Sequence, residues 1–562
     1  MRRVLLCLAA LLAVSAAAQV DEGVLPLDDP VQRFLQRQQA AGRLDEALLT
    51  TLPLSAYEAQ RLLDSLAVRV ETGAVTLPRV DRQRLDRYRG VAPAPGAAWA
   101  RGLVGSGVYG DGESLVAADG DGYAVRGQPL VYLTPGLTRR TETPDEDPEL
   151  LTYRNSRGAR IAGHVGPLFF DSKLLENQQR PADFEYTRPT APRLGFVKPR
   201  GDDTVYDYLE ATGVLGLSTR FVEVRLGRDR ANWGFGEGSL EHSDYAAPQD
   251  HLELRARFWR VRYTNRYSRR IRPLERNPGA EQLYPRSFTA LHQLAFDLPG
   301  NLQAELFEMV VFADDSTGGE RSGFEFAYLN PLVFYRAVEG DIGLFDNALL
   351  GTGLAWTAAP GYRVYGQLLL DELKVSELSN DWWGNKWGVL GGVYLADPGW
   401  GDNRIPGLSI RAEYTRQRPY LYSHRSESSA YVHYNDTLGH PAGPNSVDLS
   451  TWVLYTPLPQ LELGLHASRT VRGRNTETEN FGSNPALPYS TRVSDYGVET
   501  LQGVRQTETI VEAWGGVEVL PEVTLGAGLT YRSVDDAVLG LDRAATGFVQ
   551  LRWGLPYQTR RF

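Results

Sequence analysis

Short stretches in which apolar and polar residues alternate recur along the chain from about residue 100 to its end. Residues 460–467, 523–531 and 547–553 are examples, and in each one face of an extended strand is apolar while the other is polar or small. Many such stretches, together with few segments of helical spacing, are typical of a β-barrel in an outer membrane. A soluble, secreted all-β protein is the alternative, because sugar-binding aromatic residues would give a similar pattern.

We predict an all-β transmembrane barrel of about 18 antiparallel strands. Tight turns that would face the periplasm are expected at 298–301 and 359–361, and a turn or a bulge is expected at Phe258-Trp259. Strands are also expected at 101–110 and 158–170. The long polar loops, which would face outward, are expected at 171–203, 313–342, 419–447 and 472–506.

The first residues predict a signal peptide at 1–18. Two arginines follow Met1, an apolar run occupies residues 4–14, and the small residues Ser15–Ala18 end the segment. We expect cleavage after Ala18. The single cysteine, Cys7, lies inside this segment, so the mature chain is expected to have no disulfide, no cysteine-based metal site and no cysteine nucleophile.

Residues 19–96 are predicted to form a small α-helical periplasmic domain and a linker. Val31, Phe34 and Leu35 recur at helical spacing, and Asp28 or Asp29 before a proline is an expected N-cap. A proline- and glycine-rich run then marks the boundary to the barrel, predicted at 97–562.

The amino-acid composition of the chain limits which binding partners are expected. The formal net charge of −10 disfavours nucleic acid. No stretch of ~20 apolar residues follows the predicted signal, whereas 28 tyrosines and 11 tryptophans suit the aromatic girdles at the two surfaces of a membrane barrel. Outer-membrane lipid is therefore an expected partner. The terminal Phe562 suits recognition by the barrel-insertion machinery.

By its motifs and their order the chain resembles the capsule assembly Wzi family. The stretches that carry the resemblance are Leu226–Gly236, Tyr328–Pro331 with Tyr335 and Arg336, Tyr365–Glu372 and Gly439–Asn445. The resemblance implies a non-enzymatic protein in the outer membrane of a Gram-negative-type bacterium, with a barrel of about eighteen strands over a periplasmic helical bundle. It also implies that the protein holds capsular or other extracellular polysaccharide at the cell surface.

One polar strand face is rich in arginine. Arg255, Arg257, Arg260 and Arg262 should point into the lumen, since facing lipid would cost ~2–4 kcal/mol each. Guanidinium groups there suit the carboxylates or phosphates of an acidic glycan. The simpler interpretation is that they pair with acids of the lumen, of which Glu223, Glu305 and Asp371 are examples.

Further candidates for polysaccharide binding lie in predicted loops. Sugar C–H faces pack on aromatic rings, although a lipid-interface girdle would use the same residue types. A Gly-rich loop after a strand and a Pro-rich loop could likewise be binding loops, or rigid corners of the fold. These candidates are Trp382, Trp383, Tyr420, Tyr422, Arg228, Arg230, Trp233 and His440.

No enzyme, cofactor or metal site is predicted. The chain contains no His-Glu-x-x-His motif, and Glu241–Asp244 are adjacent residues of acid–base type that seldom converge on one substrate. We therefore predict a lectin-like, non-enzymatic outer-membrane protein for surface attachment or assembly of polysaccharide. The alternative is a porin for sugars or anions, which would need an open lumen.

Overall fold

In the computed structural model, the described residues are 23–92, 114–141, 149–181, 190–200, 204–273, 284–313, 328, 346–399, 401 and 403–558. An 18-stranded antiparallel sheet closes into a barrel, which confirms the predicted fold class and strand number. The predicted signal peptide, the strand expected at 101–110 and Phe562 lie outside the described residues.

The strands that form the wall follow one another around the barrel in chain order. They are β1 Tyr123–Thr141, β2 Glu149–Val165, β3 Leu168–Arg180, β4 Val205–Ser218, β5 Val222–Asp229, β6 Gln249–Phe258, β7 Val261–Ile271, β8 Arg286–Leu298, β9 Leu302–Ala313, β10 Asn347–Ala359, β11 Tyr362–Glu372, β12 Lys386–Ala396, β13 Leu408–Gln417, β14 Ser446–Leu458, β15 Leu461–Arg474, β16 Val504–Leu520, β17 Val523–Asp536 and β18 Gly540–Trp553.

Pairing of the last strand with the first closes the wall, with Trp553 opposite Val131 and Arg543 opposite Thr141. One end of the barrel carries mostly tight turns, such as the two-residue turn between Phe258 and Val261. We call it the short-turn end. The opposite end carries the longer connections and is called the long-loop end. This asymmetry is the one expected for an outer-membrane barrel.

The strand predicted at 158–170 is wrong in its bounds. It ends at Val165, and after a turn at Gly166 a separate strand, β3, continues to Arg180 within the predicted loop 171–203. The error has a physical cause: Asp171 and Lys173 face a polar lumen, so their strand has a loop-like composition.

Apolar and polar side chains alternate along the strands, so the outer surface of the barrel is apolar and its interior is polar. On β17, Leu525 and Leu529 are exposed on the outside, whereas Thr530 is buried. Such a surface suits contact with lipid chains. None of the helices in the described part of the chain is both long and apolar enough to cross a membrane.

Within the described residues, three helices precede the barrel: α1 Pro30–Ala40, α2 Ala56–Glu71 and α3 Arg79–Tyr88. The Asp29 side chain accepts a hydrogen bond from the Val31 amide at 2.7 Å and caps α1. Ser55 caps α2 in the same way through the Glu58 amide, at 3.2 Å. These caps satisfy amides that have no partner within the helix.

The N-terminal cap, residues 23–92, covers the short-turn end of the barrel. Its own apolar core includes Phe34, Leu35 and Leu63. Ion pairs fasten it to the wall: Arg37 pairs with Asp397 at 2.6 Å, and Arg87 pairs with Glu518 at 2.6 Å. The Gly361 amide, in the turn after β10, also donates to the Ala40 carbonyl at 3.1 Å.

Candidate functional site

The connection between β5 and β6, residues 230–248, folds into the lumen, and we call it the inward loop. Its Ser239 and Leu240 contact Gln367 on β11 through hydrogen bonds of 3.2 and 3.1 Å. Gly234 has a positive φ of 106°, and a Cβ there would collide with the Gln367 amide, so the loop needs glycine at this point. The inward loop thus packs against the wall deep inside the barrel.

The inward loop meets the N-terminal cap in the middle of the lumen. Thr51 and Leu52 form a short antiparallel pairing with Asn232 and Trp233, and Trp233 is fully buried. The cap also contributes the Thr50 hydroxyl, which donates to Gln293 on β8 at 2.7 Å. Two segments that enter from opposite ends therefore fill much of the lumen together.

A second loop covers the inward loop from the long-loop end. Tyr422 donates its hydroxyl to the Leu240 carbonyl at 2.9 Å, and the same oxygen accepts the His440 amide at 3.3 Å. Tyr431 donates to the Glu241 carbonyl at 3.0 Å. The predicted binding residues Tyr422, His440 and Trp233 are all buried in this packed interior.

The predicted arginine stripe faces inward, but it lies at the short-turn end. Arg255 pairs with Glu253 at 2.7 Å and donates to the Pro53 carbonyl of the cap at 3.0 Å. Arg262 pairs with Glu58 of the cap. This placement favours the simpler interpretation of ion pairing within the lumen.

The remaining stripe residues and the example acids have the following neighbours. Arg260 pairs with Asp297 at 2.8 Å, Arg257 lines a cleft with Asp45 and Glu46 of the cap, Glu223 pairs with Arg225 at 2.6 Å, Glu305 accepts from Gln367 at 3.0 Å, and Asp371 pairs with Lys386 at 2.9 Å.

An aromatic group at the long-loop end brings together three of the predicted residues. The ring of Trp383 lies 5.6 Å from Trp382, 6.3 Å from Tyr420 and 4.6 Å from Tyr489, between ring centroids. The Arg492 guanidinium stacks 4.2 Å from the Trp383 ring. We call these five residues the rim cluster.

Backbone hydrogen bonds hold the rim cluster together across three loops. The Trp383 amide donates to the Asp495 carbonyl at 3.0 Å, and the Tyr420 amide donates to the Gly482 carbonyl at 2.9 Å. Nearby Leu378 and Tyr496 are largely exposed. Trp383 and Tyr420 are buried and support the cluster from below, while Trp382, Tyr489 and Arg492 are only partly buried and form its outer part. Tyr489 and Arg492 were missed from the sequence, because they lie in a polar loop without periodicity.

A cavity of about 610 Å³ remains inside the barrel beside the inward loop, and we call it the side cavity. Its wall includes Tyr132, Arg154, Tyr206, Tyr208 and the predicted residue Arg230. The alternation of Tyr206, Tyr208 and Glu210 on a predicted strand was the signal that could have found it. The other predicted arginine, Arg228, is half-exposed and pairs with Asp250 at 3.3 Å.

The acid–base residues of the inward loop do not form a catalytic arrangement with one another. The His242 ring lies 3.1 Å from the Tyr431 hydroxyl, whereas Ser243 donates to the Gly439 carbonyl. Burial lowers the pKa of His242 to about 3. Within the described ranges, no group of three or more histidine, cysteine or acidic residues could hold a metal ion.

These features define a class: a transmembrane β-barrel whose lumen is occupied by its own N-terminal cap and an inward loop. Among solved structures, one similar protein is Wzi, an outer-membrane protein involved in group 1 capsule assembly in Escherichia coli and a carbohydrate-binding β-barrel. The TM-score is 0.54 at 14% identity, over 96% of this chain and 100% of that one. The expected resemblance to Wzi is therefore confirmed at the level of the fold.

More distant barrels match less well. OccK9 of Pseudomonas aeruginosa has a TM-score of 0.40 at 11% identity over 75% of this chain and 97% of its own. OccAB2 of Acinetobacter baumannii has the same TM-score and identity over 76% of this chain and 98% of its own. No protein-family model matches the sequence, and no curated protein matches it.

Proposed function

We propose that this protein lies in the outer membrane with its long loops outside the cell and attaches an extracellular polysaccharide there, without catalysing a reaction. Long loops of outer-membrane barrels are extracellular. The rim cluster places aromatic rings and a cation at that end, and sugar C–H faces pack on such rings. Wzi, which shares the fold, is a carbohydrate-binding barrel.

One observation carries this proposal: the rim cluster lies over a lumen that the cap and the inward loop occupy. A conducting barrel needs a continuous aqueous path, whereas a barrel that tethers a polymer needs only a stable outer surface. The pairing of Thr51 with Trp233 inside the wall favours the second use.

A channel for sugars or anions is the second candidate function. The side cavity favours it, because about 610 Å³ of the lumen is left open beside the inward loop. Its wall carries Arg154, which would attract anions.

The experiment that tests attachment compares polysaccharide retained on cells that carry variants of the protein. Trp382→Ala and Arg492→Gln should each weaken retention roughly 3- to 10-fold, the factor expected for an aromatic or cation–π contact. Trp387→Ala is the matched control, because Trp387 is on β12 outside the rim cluster and stacks only with Arg416, 5.8 Å away, among the described residues. If all three variants, present at the cell surface in equal amounts, retained as much polysaccharide as the wild-type protein, the proposal would be overturned.

A further inference from the structure

The side cavity contains a guanidinium, that of Arg154, which forms no ion pair among the described residues; the Glu210 carboxylate, which pairs with Lys173, acts on its charge from farther away. Arg154 on β2 donates to the Ser156 hydroxyl at 2.9 Å, to the Asn177 amide oxygen at 3.5 Å and to the Gln558 amide oxygen. Its guanidinium also lies 4.7 Å from the ring of Tyr132. All these acceptors are neutral, and across the described residues no carboxylate lies within ion-pair distance of Arg154.

Two other cations of the same wall are each paired with an acid. Lys173 pairs with Glu210, and Arg532 pairs with Glu508 at 2.8 Å. A partly buried guanidinium that is held only by neutral oxygens keeps its capacity for a bidentate bond to an anion. Arg154 is therefore positioned to donate hydrogen bonds to the carboxylate of a ligand.

The surroundings of Arg154 fit a sugar better than a small inorganic anion. Tyr206 and Tyr208 line the cavity with ring centroids 6.0 Å apart, and both are buried. The Thr530 hydroxyl also lines it and has no hydrogen-bond partner in the part of the chain that the structure describes, although the residue is only 4% exposed. Aromatic faces suit sugar C–H groups, and a free hydroxyl suits a sugar hydroxyl.

We propose that the side cavity is a second binding site, which takes an acidic sugar with its carboxylate on Arg154 and its ring among the tyrosines. The volume of about 610 Å³ lies within the range of roughly 300–1,000 Å³ that pockets for small organic ligands have. The inference goes beyond the proposed attachment at the rim, because the two sites share no residue and a monosaccharide is enough to test this one.

The test is calorimetric titration of the full-length protein in detergent with glucuronate, glucose and acetate. Glucuronate should bind, while glucose and acetate, which lack the carboxylate and the ring respectively, should bind at least about tenfold more weakly. Arg154→Gln should weaken glucuronate binding at least about tenfold, as expected when a charged hydrogen-bond donor is lost. Arg157→Gln is the matched control, because Arg157 lies on the same strand, is 70% exposed and pairs with Glu176 at 3.1 Å.

Absence of glucuronate binding at millimolar concentration would overturn the inference, as would equal binding by Arg154→Gln. Acetate that binds as tightly as glucuronate would also overturn it, by showing a general anion site. If Arg154→Gln does not fold into a barrel, Tyr208→Ala provides the second variant, and it should weaken binding of glucuronate but leave that of acetate unchanged. The outcome at the rim cluster is separate: a failure of polysaccharide binding there would not change the expected binding of glucuronate in the side cavity.

Discussion

Thr51 and Trp233 lie directly opposite each other in an antiparallel pairing inside the barrel. Thr51 belongs to the N-terminal cap and Trp233 to the inward loop, so this pairing joins segments that enter the lumen from opposite ends. The Gly234 amide extends the contact by donating to the Thr50 carbonyl at 2.7 Å. The pairing therefore links the position of each segment to that of the other.

The filled lumen predicts little ion conduction. The wild-type protein should show no steady current in planar bilayers, whereas a variant with residues 235–247 replaced by a short Gly-Ser linker should show steady openings. Trp382→Ala is the control and should stay closed, because Trp382 lies at the rim outside the lumen. Steady large currents from the wild-type protein would contradict attachment as the main function and favour the channel.

Burial of Trp233 predicts a large effect on stability. Trp233→Ala should lower the free energy of unfolding by about 3–5 kcal/mol, the cost of removing a buried aromatic side chain. Trp259→Ala should change it by less than about 0.5 kcal/mol, since Trp259 is 77% exposed in a tight turn. Urea unfolding in detergent or lipid measures both. Equal effects would mean that the inward loop is not part of the folded core.

Because an arginine at the short-turn end, Arg262, pairs with an acid of the N-terminal cap, we predict that the attachment of the cap to the barrel depends on these charges. Glu58→Gln leaves the buried Arg262 without its acid and should cost about 3–5 kcal/mol. Arg157→Gln should cost less than about 1 kcal/mol, because Arg157 is 70% exposed and its partner Glu176 is 66% exposed. Limited proteolysis of the cap, together with urea unfolding, reports the difference.

A further variant, Arg255→Gln, tests whether the arginine stripe contacts glycan. If Arg255→Gln lowers polysaccharide retention while the cap stays resistant to protease, the stripe contacts glycan. If retention falls only in variants whose cap becomes sensitive, Arg255 acts by holding the cap in place.

The sequence predicted what depends on local patterns. Alternation placed Leu529 outside and Thr530 inside, because side chains of a strand point to opposite faces. The cap expected at Asp28 or Asp29 was also visible, and it is Asp29 that forms it, since this capping bond joins residues only two positions apart. The missed strand β3 shows the limit of this approach, because a polar lumen removes the contrast between a strand face and a loop.

The candidate site could not be predicted in full, because its residues meet through long-range contacts that no local sequence pattern reveals. Alternation predicted that Arg262 faces inward, but its partner Glu58 comes from a helix far away in the chain. Trp383 and Tyr420 were candidates separately, and only the folded loops bring Tyr489 and Arg492 to them. Partners across a barrel are set by closure of the wall, which acts on the whole chain.

Glu241 of the inward loop predicts that stability falls as pH rises. Burial, and then the nearby Glu305 carboxylate, raise the pKa of Glu241 well above its usual value, and Gln293 donates to it at 2.8 Å. A carboxyl group whose pKa is higher in the folded protein stabilises the fold fully below its unfolded pKa, and this contribution is lost as pH rises through the folded pKa. The wild-type free energy of unfolding should therefore fall by up to about 1.4 kcal/mol per pH unit within that window.

Glu241→Gln should make this fall smaller, because glutamine resembles the protonated carboxyl group and does not titrate. Urea unfolding from mildly acidic to mildly alkaline pH measures the slope. Glu479→Gln, a change at an exposed loop residue, is the control and should keep the wild-type slope. Parallel curves for the wild-type protein and Glu241→Gln would show that Glu241 does not control how the inward loop is held, and its contact with Gln293 would then be incidental to stability.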